Sequence, residues 1–238
     1  MYEFGSRVRY SEVDAQGELT WLALMDYFQD SSVFHSEHHN IGVSYLSEHH
    51  IAWMLSSWQI CLNRMPKLAE HITVQTWPYG MKNFYGYRNF SMNDSEGQRL
   101  AYANSVWIMI DTQTGQPVRV PEEMAEIYGL EAPLPMEARS RKIAVPKDFV
   151  EKEPLIVPSF FIDTNQHMNN SRYVQVAGQY LPKDFTVREV RVEYRRAAKQ
   201  LDVLVPRVTE MPGSTVVALC SPDGSPYAVI EFLVGGVE

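Results

Sequence analysis

The sequence predicts an α+β protein in which one unit, a long helix laid against an antiparallel sheet, is written twice in tandem. Three observations carry this. Residues 13–20 and 162–169 share a layout: an apolar residue, an Asp, a polar turn, then a helical pattern, 149 residues apart. Each helical pattern leads to a strand-like run with a similar break, at Met65-Pro66-Lys67 and at Ala197-Ala198-Lys199, here 132 residues apart. Each half then closes with three more runs rich in Val, Ile, Tyr, Phe or Trp, separated by turn clusters. At 238 residues the chain is long enough for two domains.

In chain order, the first helical pattern runs from Trp21 to about Ser36. Leu22, Met25, Phe28, Gln29 and Val33 recur at helical spacing and predict the stripe that meets the sheet. The fall in offset from 149 to 132 means about 17 extra residues after this helix, assigned to the polar, His-rich stretch 36–50. Strands follow at 58–64, 71–79, 84–92 and 100–111, then a short helix at 122–128 behind Pro121. Residues 133–157 carry Pro133, Pro135, Pro146 and Pro154 and few other signals, so they read as a linker. This divides the chain into an N-terminal domain, 1–132, and a C-terminal domain, 158–238. The second half repeats the order with a helix from Asn170 to about Tyr180 and strands at 190–196, 203–209, 215–220 and 227–234. One helix with four antiparallel strands, twice over, predicts two tandem hotdog domains.

Composition narrows the function classes. A formal net charge of −8 disfavours attraction to nucleic acid. No run of 18 apolar residues offers a membrane span, and no basic start followed by an apolar stretch marks a signal peptide, so a soluble cytoplasmic protein is expected. Cys61 and Cys220 lack metal-ligand spacing and read as reduced thiols. His35, His38, His39, His49 and His50 invite a zinc reading, but no carboxylate or Cys pattern completes a site. A solvated insertion is expected there, with no metal and no cofactor.

The chemistry-bearing segment is Phe161–Tyr173. Asp163, Asn165 and His167 are spaced by two, so an extended backbone would place all three side chains on one side. Asn169 or Asn170 then caps the next helix, whose first N–H groups point back toward them. Thioester hydrolysis needs a base to activate water, a group to orient that base, and donors for the oxyanion. An Asx-rich loop that simply caps a helix would give the same spacing. The first copy carries Gln16 and Glu18 where the second has Asn165 and His167, so only one half holds the set.

Asp-x-Asn-x-His-x-Asn-Asn at 163–170, followed by a helix and then Glu193-Tyr194-Arg195-Arg196, resembles the acyl-ACP thioesterases of plants and bacteria. Trp107-Ile108-Met109-Ile110-Asp111, Thr114-Gly115, Val120-Pro121 and the helix bearing Gln29 resemble that family's first half, so the likeness runs the whole chain. The resemblance implies hydrolysis of fatty acyl thioesters on the phosphopantetheine arm of acyl carrier protein, with catalytic Asp163, Asn165 and His167 in the second half. It implies that the first half shapes the acyl pocket. Ala197-Ala198 stand where plant members have Glu-Cys, which removes a cysteine nucleophile and one carboxylate; Glu193 is four residues from Ala197. Attack by water is therefore expected, with His167 as base. An acyl-CoA thioesterase and a non-catalytic acyl- or carrier-binding protein are the competing readings.

Trp21, Met25, Trp53 and Met54 are candidate acyl-pocket residues, with Trp58 beside them; core packing explains each equally well. Arg188, Arg191, Arg195 and Arg196 form a basic cluster, with Arg191 and Arg195 on one strand face. That face offers Arg195 to the carrier protein or the phosphopantetheine phosphate, or is simply solvated. Arg139, Arg141, Lys142 and Lys147 in the linker read as a solvated stretch or a landing strip for an acidic partner. A homodimer is left open.

Overall fold

The computed structural model describes residues 1–234, which form two compact units. Unit 1 comprises Met1–Ser56 with Leu62–Ala138, and unit 2 comprises Ser57–Cys61 with the chain from Arg139 onward.

Unit 1 contains β1 (Tyr2–Arg7), α1 (Trp21–His38), α2 (Val43–Glu48), β2 (Ile51–Leu62), β3 (His71–Lys82), β4 (Tyr85–Asp94), β5 (Arg99–Asp111) and α3 (Glu122–Tyr128). Its strands lie in the order β1-β3-β4-β5-β2. The long middle strands follow from unbroken runs of β-formers, and β3 absorbs Pro78 at a register shift between Pro78 and Gly80. The edge strand β1 escaped the sequence reading because it is six residues long with Gly5 inside it. Its half-buried Tyr2, Phe4 and Ser6 do alternate with exposed residues.

Helix α1 lies on β3 and β1, started by Thr20, whose Oγ1 accepts the Ala23 N–H at 3.2 Å. Its buried stripe differs from the expected one. Leu24, Phe28, Ser31 and His35 face inward together with Met25, whereas Val33 is 38% exposed. The face toward the sheet carries Ser31, Ser32, His35 and Ser36, so hydrophobicity alone misplaced it. The stretch 36–50 also departs from a solvated insertion. His38, His49 and His50 are exposed, but His35 is buried, α2 forms, and Ile41 joins Met109, Val120, Met124 and Tyr128 in a core cluster. Trp53 packs against that cluster.

Unit 2 contains β6 (Val150–Glu151), β7 (Leu155–Ile156), α4 (Asn170–Gly178), β8 (Glu189–Tyr194), β9 (Val203–Met211), β10 (Ser214–Cys220) and β11 (Pro226–Leu233). Residues 57–61 of β2 pair with β8, and the order continues β11-β10-β9-β6, with β7 also on β9. Helix α4 lies on β10 and β11. Residues 139–157 belong to this unit. Ile143 is buried against Val216, Ala218, Cys220 and Val229, and β6 and β7 extend the sheet, so this part is not a solvated linker.

The duplication is visible hydrogen bond by hydrogen bond, at the two offsets seen in the sequence. Thr20 N–H donates to Glu12 O as Asn169 N–H does to Phe161 O, and Leu19 N–H donates to Pro66 O as Met168 N–H does to Ala198 O. Ala69 N–H to Val8 O is matched by Leu201 N–H to Val157 O, and both donors adopt positive φ, at 68° and 70°. Asn63 and Arg64 both donate to Leu100 O, as Arg195 and Arg196 both donate to Tyr227 O. Two successive amides converging on one carbonyl lead the chain out of the ladder. This ends β2 at Leu62 and β8 at Tyr194, two residues before the expected strand ends.

Candidate active site

The site is built on the turn between a short 3-10 segment (Ser159–Phe161) and α4. An extended stretch was expected across 163–167; the backbone instead folds back on itself. Asp163 N–H donates to His167 O at 2.8 Å, Gln166 N–H donates to Asp163 O at 3.1 Å, and Ile162 bridges Met168. Asp163 Oδ1 accepts the N–H groups of Asn165 (2.8 Å) and His167 (3.4 Å), an Asx turn of the kind Asp favours. Gln166 takes the left-handed conformation that closes it, at φ 61°.

The first copy makes the same turn. Asp14 Oδ1 accepts the N–H groups of Gln16 (2.9 Å) and Glu18 (3.1 Å), and Gly17, at φ 74°, occupies the place of Gln166. The carboxylate–amide bonds therefore belong to the turn itself in both halves. What unit 2 adds is Asn165, exposed, and His167, half-buried. The Nδ1 atom of His167 is sealed from solvent and has no hydrogen-bond partner among the described residues, the carboxylate of Asp163 included.

Three contacts hold α4 behind this turn. Asn169 caps it, its Oδ1 accepting from Ser171 N–H at 3.0 Å and from Ser171 Oγ at 2.9 Å. Tyr194 Oη, buried in β8, donates to Asn170 O at 2.8 Å. Tyr173 Oη accepts the Ala198 N–H at 2.8 Å, while Ala198 O receives the Met168 N–H. Burial raises the pKa of both tyrosines well above the usual phenol range, so each stays a neutral hydroxyl. Neither was singled out from the sequence for this role; the signal was a Tyr four residues into the helix pattern and another in Glu193-Tyr194-Arg195-Arg196.

Ala198 is fully buried and anchors the turn through its backbone, while Ala197 is half-buried. Glu193 takes the Ile143 N–H (2.9 Å) and pairs with Arg195 (2.8 Å), so its carboxylate is committed to the 139–145 segment. Cys220 is buried, and burial raises its thiol pKa, which disfavours a thiolate; neither cysteine forms a disulfide.

The other candidates fall elsewhere. Arg191 and Arg195 share a face, but residues 140–143 cover it. Arg195 Nη2 donates to Ile143 O at 2.8 Å, and Arg191 bonds Ser140 O and Lys142 O and pairs with Glu231. Arg139 pairs with Glu189 at 3.0 Å. In unit 1, Met25 is core and Trp53 packs on the α2–α3 cluster, its ring filling the space that a Cβ on Gly86 would enter at 3.0 Å. Trp21 and Met54 are half-buried.

Two units of this strand order, each with one helix across its sheet, make the chain a double-hotdog protein. An acyl-ACP thioesterase of Bacteroides thetaiotaomicron has the same fold, with TM-score 0.88 and 25% identity over 97% of this chain and 96% of that one. The 12:0-ACP thioesterase of Umbellularia californica aligns with TM-score 0.85 and 20% identity, covering 98% and 96%. The acyl-ACP thioesterase N-terminal domain family matches residues 2–128 and the C-terminal domain family residues 146–216. The chain belongs to the acyl-ACP thioesterase family. Among curated relatives, a palmitoyl-acyl carrier protein thioesterase of Gossypium hirsutum is 22% identical over 87% of this chain and 54% of its own length. A dodecanoyl-[acyl-carrier-protein] hydrolase of Cinnamomum camphora is 22% identical over 89% and 60%. The chain thus spans little more than half the length of these relatives.

Proposed function

We propose that this protein hydrolyses the thioester of fatty acyl-acyl carrier protein, releasing free fatty acid and ending chain elongation. The observation that carries the reading is the asymmetry of the duplicated turn. The same backbone presents Gln16 and Glu18 in one half, and in the other Asn165 and a His167 whose buried Nδ1 has no protein partner.

In this mechanism neutral His167 takes a proton from water as the oxygen attacks the thioester carbonyl. The oxyanion is met by Asn165 and by the N-terminal N–H groups of α4. Collapse breaks the C–S bond, and His167 returns the proton to the departing pantetheine sulfur, leaving carboxylic acid and thiol. Asp163 acts as a positioning residue, holding His167 through the backbone N–H rather than through the ring. The first half receives the acyl chain, with Trp21, Met25, Trp53 and Met54 as its proposed contacts. The domain division at 1–132, 133–157 and 158–238 belongs to the same proposal, its last four residues lying outside the described ones.

The rim of the turn suits a carrier-borne substrate. Phe160 (74%), Leu201 (72%) and Ile156 (59%) are exposed apolar side chains on the segments that bracket the turn, with Lys199 exposed beside them. An apolar and basic rim fits an acidic carrier protein better than it fits bulk water. No helix among the described residues is long and apolar enough to cross a membrane. The proposal places the reaction in the cytoplasm and allows a homodimer, which sedimentation would reveal.

A panel of acyl-carrier-protein substrates of varied chain length, with matched acyl-CoA, tests the reading by release of free acid. Turnover of acyl-carrier protein that falls at least 100-fold in His167→Ala, with the circular dichroism spectrum retained, is expected. Bound fatty acid without turnover at any length would reject hydrolysis, and a preference for acyl-CoA would reassign the leaving group.

A further inference from the structure

Unit 1 buries a cation that the proposed reaction does not use. Arg88, on β4, is 7% exposed and forms no ion pair among the described residues. Its Nη1 is spent on two neighbours, His35 Nδ1 at 3.0 Å and Thr76 Oγ1 at 3.2 Å. Thr76 Oγ1 donates onward to Asn89 O, so it acts as an acceptor toward Arg88. Because a guanidinium only donates, His35 Nδ1 must be an acceptor and its proton must sit on Nε2. Nε2 faces His39 Nε2 at 3.2 Å, which continues the chain of donors outward. The ring of Tyr128 lies 5.2 Å from the guanidinium carbon and accepts cation–π attraction, while its hydroxyl is engaged with Ser36 Oγ at 2.7 Å.

These contacts account for one nitrogen and one face of the guanidinium. The edge formed by Nε and Nη2 has no hydrogen-bond partner among the described residues, yet it carries three N–H donors in the fork that matches a carboxylate. A buried charge without a counter-charge is costly, and each neighbour here is neutral. Burial first, and the Arg88 charge second, hold His35 down at about 3, so the imidazole adds no positive charge to the site. Burial also lowers Arg88 to about 10, which still leaves it cationic at neutral pH. The flanks are apolar: Phe90 and Met92 follow Arg88 on the same face of β4, and Phe28 lies one α1 stripe position from His35, all unexposed.

We infer that unit 1 contains a carboxylate-binding site, in which the Nε–Nη2 edge of Arg88 receives the two oxygens while His35, Thr76 and Tyr128 hold the guanidinium in place. The ligand is a monocarboxylate; an apolar wall beside the cation suits an alkyl tail and disfavours a heavily hydrated phosphate. A free fatty acid and a small metabolic acid share this head group.

Titration of the full chain with sodium acetate, octanoate or phosphate, each against sodium chloride at matched ionic strength, tests this through the arginine Nε–H resonances. One resonance, assigned to Arg88 by through-bond correlation, should shift saturably with acetate and octanoate and not with chloride. Octanoate binding at least 10-fold tighter than acetate identifies a fatty acid as the source, and equal binding a small acid. Arg88→Lys should weaken binding at least 10-fold, and because the readout is on the wild-type chain it stands even if that variant does not fold. No saturable shift of this resonance, or a shift with phosphate alone, overturns the site.

Discussion

His35 and Leu201 each set a local condition that a single substitution can report. His35 is 2% exposed and held neutral by burial and by the Arg88 charge, with its folded pKa pushed down to about 3 from an ordinary 6.5. The unfolded chain therefore takes up a proton between pH 6.5 and 3 that the folded chain refuses. The sign follows: His35 costs no stability above pH 6.5, and stability falls as the pH drops below it. Allowing for screening by nearby solvent, the loss between pH 7 and pH 5 is on the order of 1 kcal/mol. Urea unfolding at the two pH values should show it, and His35→Gln should flatten the dependence; an unchanged slope in that variant would refute the assignment. Leu201 is different. It is 72% exposed and takes φ 70°, where a branched side chain is strained, and its counterpart Ala69 does the same at 68°. Leu201→Asn should raise stability by about 0.5–1 kcal/mol through relief of that strain. If the exposed rim receives the carrier protein, the same change raises KM for acyl-carrier protein several-fold and leaves small thioesters unaffected.

Among the elements, α4 carries the site and β8 fixes it. Tyr194 Oη donates to Asn170 O from a fully buried position, so Tyr194→Phe leaves a buried carbonyl unpaired, at a cost of about 1–3 kcal/mol. The helix start then loosens where the oxyanion donors sit. Steady-state kinetics should show kcat falling about 10-fold with KM little changed; a change confined to KM would make Tyr194 a substrate contact instead. Strands and helices of five or more residues that carry β-branched runs or a proline start were legible in the sequence, and α3 matches its expected limits at Glu122–Tyr128. Two-residue strands such as β6 and β7 leave too little pattern to read. The stripe of α1 was hidden by Ser31, Ser32, His35 and Ser36, which hydropathy assigns to solvent and the fold places inside. The site was legible in residue identity but not in shape. Gln166 gives no hint of a left-handed backbone; its counterpart Gly17 does, and aligning the two turns would have shown that 163–167 is closed rather than extended.

For the whole molecule, the duplication supplies its own control. Two turns with the same backbone bonds, 149 residues apart, separate what Asp does for folding from what it does for chemistry. Asp14→Ala and Asp163→Ala each remove a carboxylate that accepts two backbone N–H groups in an accessible turn. Each should therefore cost a similar amount, about 1 kcal/mol, in chemical unfolding. Their effects on turnover should diverge. Asp14 positions Glu18, which has no part in the proposed reaction, so its loss should leave kcat within about 2-fold. Asp163 positions His167 through the backbone, and a turn that no longer fixes the ring should lower kcat by 10-fold or more, since small misplacement of a catalytic group costs rate steeply. Asp163→Asn keeps an acceptor oxygen for the two amides and should recover most of the lost rate. Rescue by Asn separates a positioning carboxylate from one that moves protons, because an amide cannot take up the proton that a catalytic carboxylate would share. Failure of that rescue, with stability restored, would move Asp163 from the turn into the proton-transfer chemistry itself.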